Sequence, residues 1–196
     1  MIELIKYIRK HMPFIWICLE FINSLLVKIR FGKKINTSIN RILAQYSKGY
    51  QLKEITDSDI QNLAVFFSRQ PEGFDKYFKP HGFDEVSIRK TKNREYIKMF
   101  SVNDNNQIIG YFFIRFFANG KAFRGKIVDI NYRGKGIAKM MGACATDIAF
   151  MSGFRLMGTI SKNNIASIQS SKSVNKIHII KELDDNYIYV EYLPKE

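Results

Sequence analysis

The sequence predicts a mixed α/β fold over residues 49–196, preceded by a helical extension over residues 1–48. Strand-like runs separated by tight turns follow residue 95 and form hairpins. Between residues 136 and 152 the apolar residues instead recur at helical spacing. The first 48 residues combine apolar helical patterns with clustered cations. A chain of 196 residues is long enough for one domain with an appendage and a sizeable core.

The N-terminal extension is the most apolar and the most basic part of the chain. Residues 1–12 are amphipathic, Pro13 breaks or kinks that helix, and residues 14–29 are about as apolar as a membrane span. They are fewer than the roughly 20 residues that a span requires. Glu20, Ser24 and Lys28 form a narrow polar stripe on this segment.

Two interpretations of the extension stay open. One is a helical hairpin that packs on the domain or on a second copy of the chain, which would make a homodimer through residues 1–34. The other is peripheral contact of a cytoplasmic protein with the inner membrane face, with cations at the lipid headgroups. The early Glu3 and the lack of a small-residue cleavage site disfavour a signal peptide.

From Tyr50 the pattern alternates between strands and helices. The predicted order is a strand at 50–55, helices at 56–67 and 84–93, strands at 96–102, 108–118 and 121–130, a helix at 136–152, a strand at 155–160, a helix at 164–174, and strands at 178–183 and 187–193. Residues 69–83 hold two prolines, two glycines and four aromatic residues, which predicts a long ordered loop.

The net charge of +13 favours a phosphate-bearing partner. Residues 1–50 contribute +7 of it, from nine Lys or Arg and two acids. No pattern of interleaved aromatic and basic residues accompanies the charge, which disfavours nucleic acid. The two cysteines show no metal-type spacing and the three histidines are scattered. The sequence therefore predicts reduced thiols and no metal site.

The segment VDINYRGKGIA, residues 128–138, joins a predicted strand to a predicted helix. The first amides of a helix lack intrahelical partners and attract anions. Gly134 and Gly136 allow a tight turn and a close approach to the backbone, and Arg133 and Lys135 add charge. The segment predicts a pyrophosphate site, with a plain tight turn as the alternative. It lacks the P-loop pattern, and Lys139 replaces the third glycine of a dinucleotide fingerprint.

A second copy of the same letters provides an internal comparison. FRGK at 123–126 nearly repeats YRGK at 132–135, but a strand and not a helix surrounds it. Its amides should therefore enter a sheet ladder, and only the second copy should open a helix.

Two motifs together resemble the GNAT superfamily of acyl-CoA-dependent N-acetyltransferases. The first is Arg133, Gly134, Lys135, Gly136, Ile137 and Ala138 after an apolar strand, and the second is Asn164-Ile-Ala-Ser167 after the next strand. The resemblance covers Tyr50 to Leu193 and leaves out the extension. It implies a mostly antiparallel sheet with flanking helices, and an N-acetyltransferase that uses acetyl-CoA as co-substrate.

The resemblance also implies roles for particular residues. The backbone of Val128, Asp129 and Ile130 would pair with the pantetheine arm, and one of these amides would stabilise the oxyanion of acyl transfer. Amides of residues 133–138 would hold the pyrophosphate. Asn164 and Ser167 would contact the cofactor arm, with a helix N-cap as the alternative role of Asn164.

Acyl transfer to an amine needs a base for the ammonium and an acid for the departing thiolate. Asp129 is the candidate base, with a structural role as the alternative. Ser171 stands where many members of the family carry a tyrosine acid, so Ser171, Tyr187 or a water is the candidate acid. Lys172 is either a cofactor-phosphate contact or a solvated charge.

The loop at 69–83 lies where the family builds its acceptor pocket. Glu72, Asp75, His81 and the nearby Asp84 are candidates to orient or deprotonate an amine, and His81 alternatively belongs to a surface turn. The predicted acceptor is a primary amine, such as an amino sugar or a lipid-linked precursor of surface polysaccharide. The alternatives are a protein or polyamine acceptor, or a non-catalytic acyl-CoA-binding sensor.

Overall fold

The computed structural model describes residues 11–47 and 49–195. Its helices are α1 (Pro13–Tyr46), α2 (Ile60–Ser68), α3 (Glu85–Lys92), α4 (Ile137–Met151) and α5 (Ile165–Val174). Its strands are β1 (Gln51–Glu54), β2 (Ile97–Asp104), β3 (Gln107–Phe116), β4 (Lys121–Val128), β5 (Arg155–Ser161), β6 (Lys176–Leu183) and β7 (Tyr187–Leu193). Short 3-10 turns occur at Asp57–Asp59, Phe74–Lys76 and Ile130–Tyr132.

The seven strands form one sheet in the order β1-β2-β3-β4-β5-β7-β6. Every neighbouring pair is antiparallel except β4 and β5, which run parallel. The predicted mixed α/β fold with a mostly antiparallel sheet is therefore confirmed. The parallel pair needs a crossover, and α4 provides it.

Alternating side chains of β3 show how the layers stack on the sheet. Gly110 lies beneath Ile137 and Met141 of α4. On the opposite face, the ring of Tyr111 contacts Phe67 of α2 at 5.3 Å between centroids. Helices α1 and α4 therefore cover one face, while α2 and the loop at 69–83 cover the other.

Helix α1 is continuous from Pro13 to Tyr46, and Met12 before it is not helical, so a break in the helix occurs where Pro13 predicts it. Pro13 stands at its first turn, where a proline costs no hydrogen bond, and Gly32 lies inside it. Val27, Ile35, Ile39 and Ile42 are buried in the same core as the sheet. Residues 1–10, which include most of the predicted first amphipathic segment, lie outside the described residues.

The polar stripe of α1 faces the domain. Glu20 pairs with Arg94 at 3.2 Å, and Lys28 pairs with Glu95 at 2.8 Å. Asn23 lies between them; its side chain donates to the Phe116 carbonyl at 3.2 Å and accepts from the Ala118 amide at 3.0 Å. The apolar side of residues 14–29 consequently points away from the domain. Within the described residues, no helix has both the length and the hydropathy of a membrane span.

Replacing Asn23 with Ala tests how α1 is attached. Asn23→Ala removes both hydrogen bonds, one to the last residue of β3 and one to the turn that follows, and should lower the free energy of unfolding by about 1–3 kcal/mol. The matched control is Asn36→Ala, at an exposed position of the same helix, which should cost less than about 0.5 kcal/mol. Urea denaturation measures both. Equal losses in the two variants would contradict attachment of α1 through Asn23.

Candidate functional site

The sheet opens between β4 and β5. These strands pair only from Lys121↔Arg155 to Phe123↔Met157. Beyond that point, residues 124–128 of β4 remain paired with β3, and residues 158–161 of β5 remain paired with β7. We call this gap between residues 124–128 and 158–161 the β4–β5 opening. Main-chain groups that face it are available to an extended ligand, as at a sheet edge.

The direction of individual amides distinguishes the residues that face the opening from those that pair with β3. The Asp129 amide donates to the Ile109 carbonyl of β3 at 2.9 Å. In an antiparallel pair, successive residues direct their main-chain groups to opposite sides. The Val128 amide therefore points toward the opening, and the Asp129 amide does not.

Both glycines of the 133–136 segment have left-handed backbone conformations. The φ angles are 78° at Gly134 and 79° at Gly136, and a Cβ at either position would have no heavy atom within 4 Å. Gly136 is the N-cap of α4 and offers no side-chain cap to the first helical amides. Since residues 133–136 are also exposed, the first amides of α4 are accessible beside the end of β4, and such amides attract anions.

The internal comparison between the two repeats is confirmed. Residues 123–126 lie within β4, in the ladder with β3, whereas residues 132–135 lead into α4. Neighbouring structure, and not the letters themselves, decides which copy lies in a strand and which opens a helix.

Asp129 is buried at the junction between β4 and this segment. Its carboxylate accepts from Arg69 Nε at 2.9 Å, from the Asn131 amide at 3.0 Å and from Gln70 Nε2 at 3.5 Å. These three contacts hold the carboxylate against Arg69, Gln70 and the turn after β4. This geometry favours the structural alternative, in which Asp129 fixes the turn that aims the glycine segment at the opening.

Two cations of β4 lie beneath the opening, and the sequence patterns did not single them out. Arg124 and Lys126 occupy the face that α4 and α5 cover. Arg124 donates to the Gly142 carbonyl, to Thr146 and to Asn175, and its guanidinium lies 3.9 Å from the ring centre of Tyr192.

Lys126 reaches both helices that border the opening. Its Nζ donates to the Ala138 carbonyl of α4 and to Ser170 Oγ of α5, at 2.7 Å in each case. Burial, together with the charge of Arg124, lowers the pKa of the Lys126 ammonium to about 7. Alternating cations on a strand resemble a solvated edge, so sequence alone carried no signal for this pair.

Asn164 is the N-cap of α5, and its Oδ1 accepts from the Ser167 amide at 3.0 Å. Its capping role is thus observed, while cofactor contacts of Asn164 and Ser167 remain predictions. Ser171 is buried in α5, one residue beyond the serine that accepts from Lys126. Lys172 is exposed. Tyr187 pairs with Ser161 at the end of β5.

The loop at 69–83 covers the opposite face of the sheet. His81 Nδ1 donates to the Gly82 carbonyl at 2.6 Å, and His81 Nε2 accepts from the Tyr111 hydroxyl at 2.9 Å, as the neutral ring requires. Burial lowers the pKa of His81. His81 is therefore held within the fold by Tyr111 and is not a solvated turn residue.

The predicted acidic residues of this region separate into different environments. Glu72 is exposed, and Asp75 forms an ion pair with Lys79 at 3.4 Å. Asp84 accepts from the Ser87 amide at 2.9 Å and caps α3, which assigns it a structural role. Within residues 11–47 and 49–195, no group of three or more His, Cys, Asp or Glu side chains has a metal-binding arrangement.

Comparison with protein-family models identifies the family of this chain. The model of the Acetyltransferase (GNAT) family matches residues 59–170. The chain belongs to the GNAT family of acetyltransferases. A comparison with curated proteins finds no match.

Solved GNAT structures share the fold. The GNAT domain of PAT from S. lividans is 14% identical with a TM-score of 0.63, over 73% of this chain and 89% of that one. The ribosomal-protein-S5-alanine acetyltransferase of Vibrio fischeri is 20% identical with a TM-score of 0.60, over 76% and 95%. AAC(6')-Ib in complex with paromomycin and acetyl-CoA is 12% identical with a TM-score of 0.59, over 76% and 94%.

A glycine substitution separates backbone strain from anion binding. Gly136→Ala should weaken coenzyme A binding about tenfold, because a methyl group and a shifted turn obstruct the first amides of α4. The matched control is Gly120→Ala, since Gly120 has a φ of 77° and equally open surroundings but lies in the turn after β3. Both should lose stability, by about 1 kcal/mol. Calorimetric titration measures the affinity, and equal affinities in the two variants would refute the assignment.

Proposed function

We propose that this GNAT protein transfers the acetyl group of acetyl-CoA to a primary amine of an amino sugar or of a lipid-linked sugar precursor. The observation that carries the proposal is the position of the β4–β5 opening directly beside the anion site at the start of α4. An extended arm that ends in a pyrophosphate matches this arrangement, since main-chain groups of β4 suit the arm and helix amides suit the phosphates.

The residues around the opening support the transfer step. With the arm paired to β4, the Val128 amide is the candidate donor to the thioester oxygen, where negative charge develops during attack by the amine. The acceptor must lose a proton before or during attack. Since Asp129 is occupied by Arg69, a water relay is the proposed route for that proton.

Aromatic side chains on the acceptor face support a sugar-like acceptor. Phe78, Phe113, Phe123 and Tyr189 form what we call the aromatic strip, which is partly exposed. Phe78 and Phe113 lie 6.2 Å apart, and Phe123 stacks on Tyr189 at 6.0 Å between ring centres. Gly125 makes room for Phe113, because a Cβ there would lie 2.5 Å from its ring. Flat apolar rings beside polar groups suit an amphipathic acceptor.

The outward face of α1 supports a location at an anionic membrane. Phe14, Ile17, Phe21 and Ile29 of α1 are between 61% and 76% exposed. The exposed cations Arg30, Lys33 and Lys34 follow this apolar surface directly. Apolar side chains next to clustered cations match the acyl boundary and headgroups of anionic lipid. Such a location would place the enzyme near lipid-linked substrates.

An acceptor screen tests the activity. Thiol release from acetyl-CoA is measured with glucosamine, spermidine and a lysine-containing peptide, and glucosamine should react fastest. Phe123→Ala should raise the KM for glucosamine several-fold and leave the KM for acetyl-CoA unchanged. A preference for spermidine or the peptide would overturn the sugar assignment. Coenzyme A binding without turnover of any acceptor would favour a sensor instead.

Flotation with lipid vesicles tests the location. The protein should float with vesicles that contain phosphatidylglycerol, less so with phosphatidylcholine alone, and binding should weaken at high salt. Phe21→Glu should abolish flotation. Val86→Glu is the matched control, because Val86 on α3 is 77% exposed and receives the same charge. A dimer that light scattering detects in the wild type and that Phe21→Glu dissolves would overturn membrane contact in favour of a second copy.

A further inference from the structure

Lys126 lies on the floor of the β4–β5 opening. Its Nζ is fixed between α4 and α5 by the Ala138 carbonyl and Ser170 Oγ, at 2.7 Å each. Gly142 of α4 leaves the space for it, since a Cβ at that residue would lie 2.9 Å from the Lys126 nitrogen. The lysine thus occupies a built position directly below the part of β4 that lacks a β5 partner.

The surroundings of Lys126 favour easy loss of a proton. Arg124, on the same face of β4, is the charged neighbour that acts on it. From α4 it meets the Ala138 carbonyl and Gly142, and from α5 it meets Ser170. Among the described residues it forms no ion pair with a carboxylate. A buried cation without an opposite charge loses its proton more readily than one in water.

The two contacts also leave one proton to give. An ammonium group has three N–H donors, and the contacts with Ala138 and Ser170 use two of them. A proton remains when Lys126 is charged, and a lone pair remains when it is neutral. Both forms keep their hydrogen bonds to the helices, so the exchange of that proton requires no movement of the side chain.

We propose that Lys126 is the general acid that protonates the departing thiolate, a role that rests on the acetyl transfer proposed above. When the acceptor nitrogen bonds to the acetyl carbon, the carbon–sulfur bond breaks and its electron pair stays on sulfur. Lys126 gives its third ammonium proton to that sulfur and becomes neutral. The proton that the new amide sheds passes to water, and solvent recharges Lys126. The products are the free thiol and the acetylated amine, and the enzyme returns to its charged form.

The position of Lys126 allows it to replace the tyrosine acid that many members of the family carry. Ser171 stands at that place in α5, and a serine hydroxyl is a poor proton donor at neutral pH. The neighbouring Ser170 instead accepts from Lys126, which brings an acid from β4 to the same part of the opening. An acid whose pKa lies near the working pH is the efficient kind.

Three variants test the assignment. Lys126→Met should lower kcat roughly 100-fold with little change in the KM for acetyl-CoA, because a general acid typically contributes about 10²- to 10⁴-fold. Lys126→Arg keeps the charge but not the ability to release a proton, so it should be equally impaired. Lys121→Met, on the same strand, should retain wild-type kcat. Recovery of kcat in Lys126→Arg would overturn proton donation in favour of an electrostatic role.

The nature of the leaving group distinguishes an acid from a structural residue. An acetyl thioester of an aromatic thiol needs little protonation when it departs, so wild type and Lys126→Met should turn it over at similar rates. The wild-type kcat for acetyl-CoA should fall as the pH rises above about 7, as the acid loses its proton, and Lys126→Met should lack this decline. A defect of equal size with both thioesters would overturn the proposal.

A measurement without substrate separates this inference from the proposed function. A lysine whose folded-state pKa lies below its unfolded value binds fewer protons in the folded state, so its contribution to stability rises between pH 7 and pH 9. The melting temperature of wild type should therefore rise relative to that of Lys126→Met over this range; an identical pH dependence would overturn the inference.

Binding and turnover distinguish the two proposals. If Lys126→Met binds coenzyme A and turns over normally, the general-acid role of Lys126 is overturned, whereas the proposed acetyl transfer is not. Absence of binding and turnover in wild type would overturn both proposals.

Discussion

The functional architecture depends on the early separation of β4 from β5. Both strands stay in one sheet, because β3 pairs along the outer side of β4 and β7 along the outer side of β5. One side chain crosses the opening on the face that the helices cover. The Arg124 side chain extends from β4, donates to the Gly142 carbonyl of α4 and to Asn175, and lies over the ring of Tyr192 on β7. The guanidinium thus links the two halves of the sheet where their main chains no longer touch.

This arrangement places two positive charges near each other, and neither forms an ion pair with a carboxylate of the described residues. Desolvation of such charges is unfavourable, and hydrogen bonds to neutral oxygens offset part of the cost. The carbonyls of Gly142 and Ala138 supply these bonds, and both belong to α4. The same helix begins at the glycine segment and presents its first amides there. Helix α4 therefore positions both its own exposed first amides and the carbonyls that hold Arg124 and Lys126, and a shift of the helix would alter both.

Local patterns predicted much of this fold, because strand alternation, helical spacing and turn glycines are properties of short segments. The order of elements from Tyr50 and the different roles of the two RGK repeats followed from them. Contacts distant in sequence were not predictable in this way. Asp129 was a candidate base until the fold brought Arg69 to its carboxylate, and Lys126 gained its importance only from Ala138 and Ser170. The predicted break at Pro13 was also local, because a proline is well placed in the first turn of a helix, and Met12 before it is not helical.

For the N-terminal extension, composition and packing indicate different domain boundaries. The change in charge near residue 48 predicts a separate segment, and that boundary remains a prediction. Yet α1 contributes Ile35 and Ile39 to the core of the sheet, and its Tyr46 hydroxyl donates to Asp147 of α4 at 2.6 Å. Removal of α1 would expose the flank of α4, the helix whose first amides border the opening. The outward face of α1 is therefore best altered by single substitutions, since those leave its inward face and α4 in place.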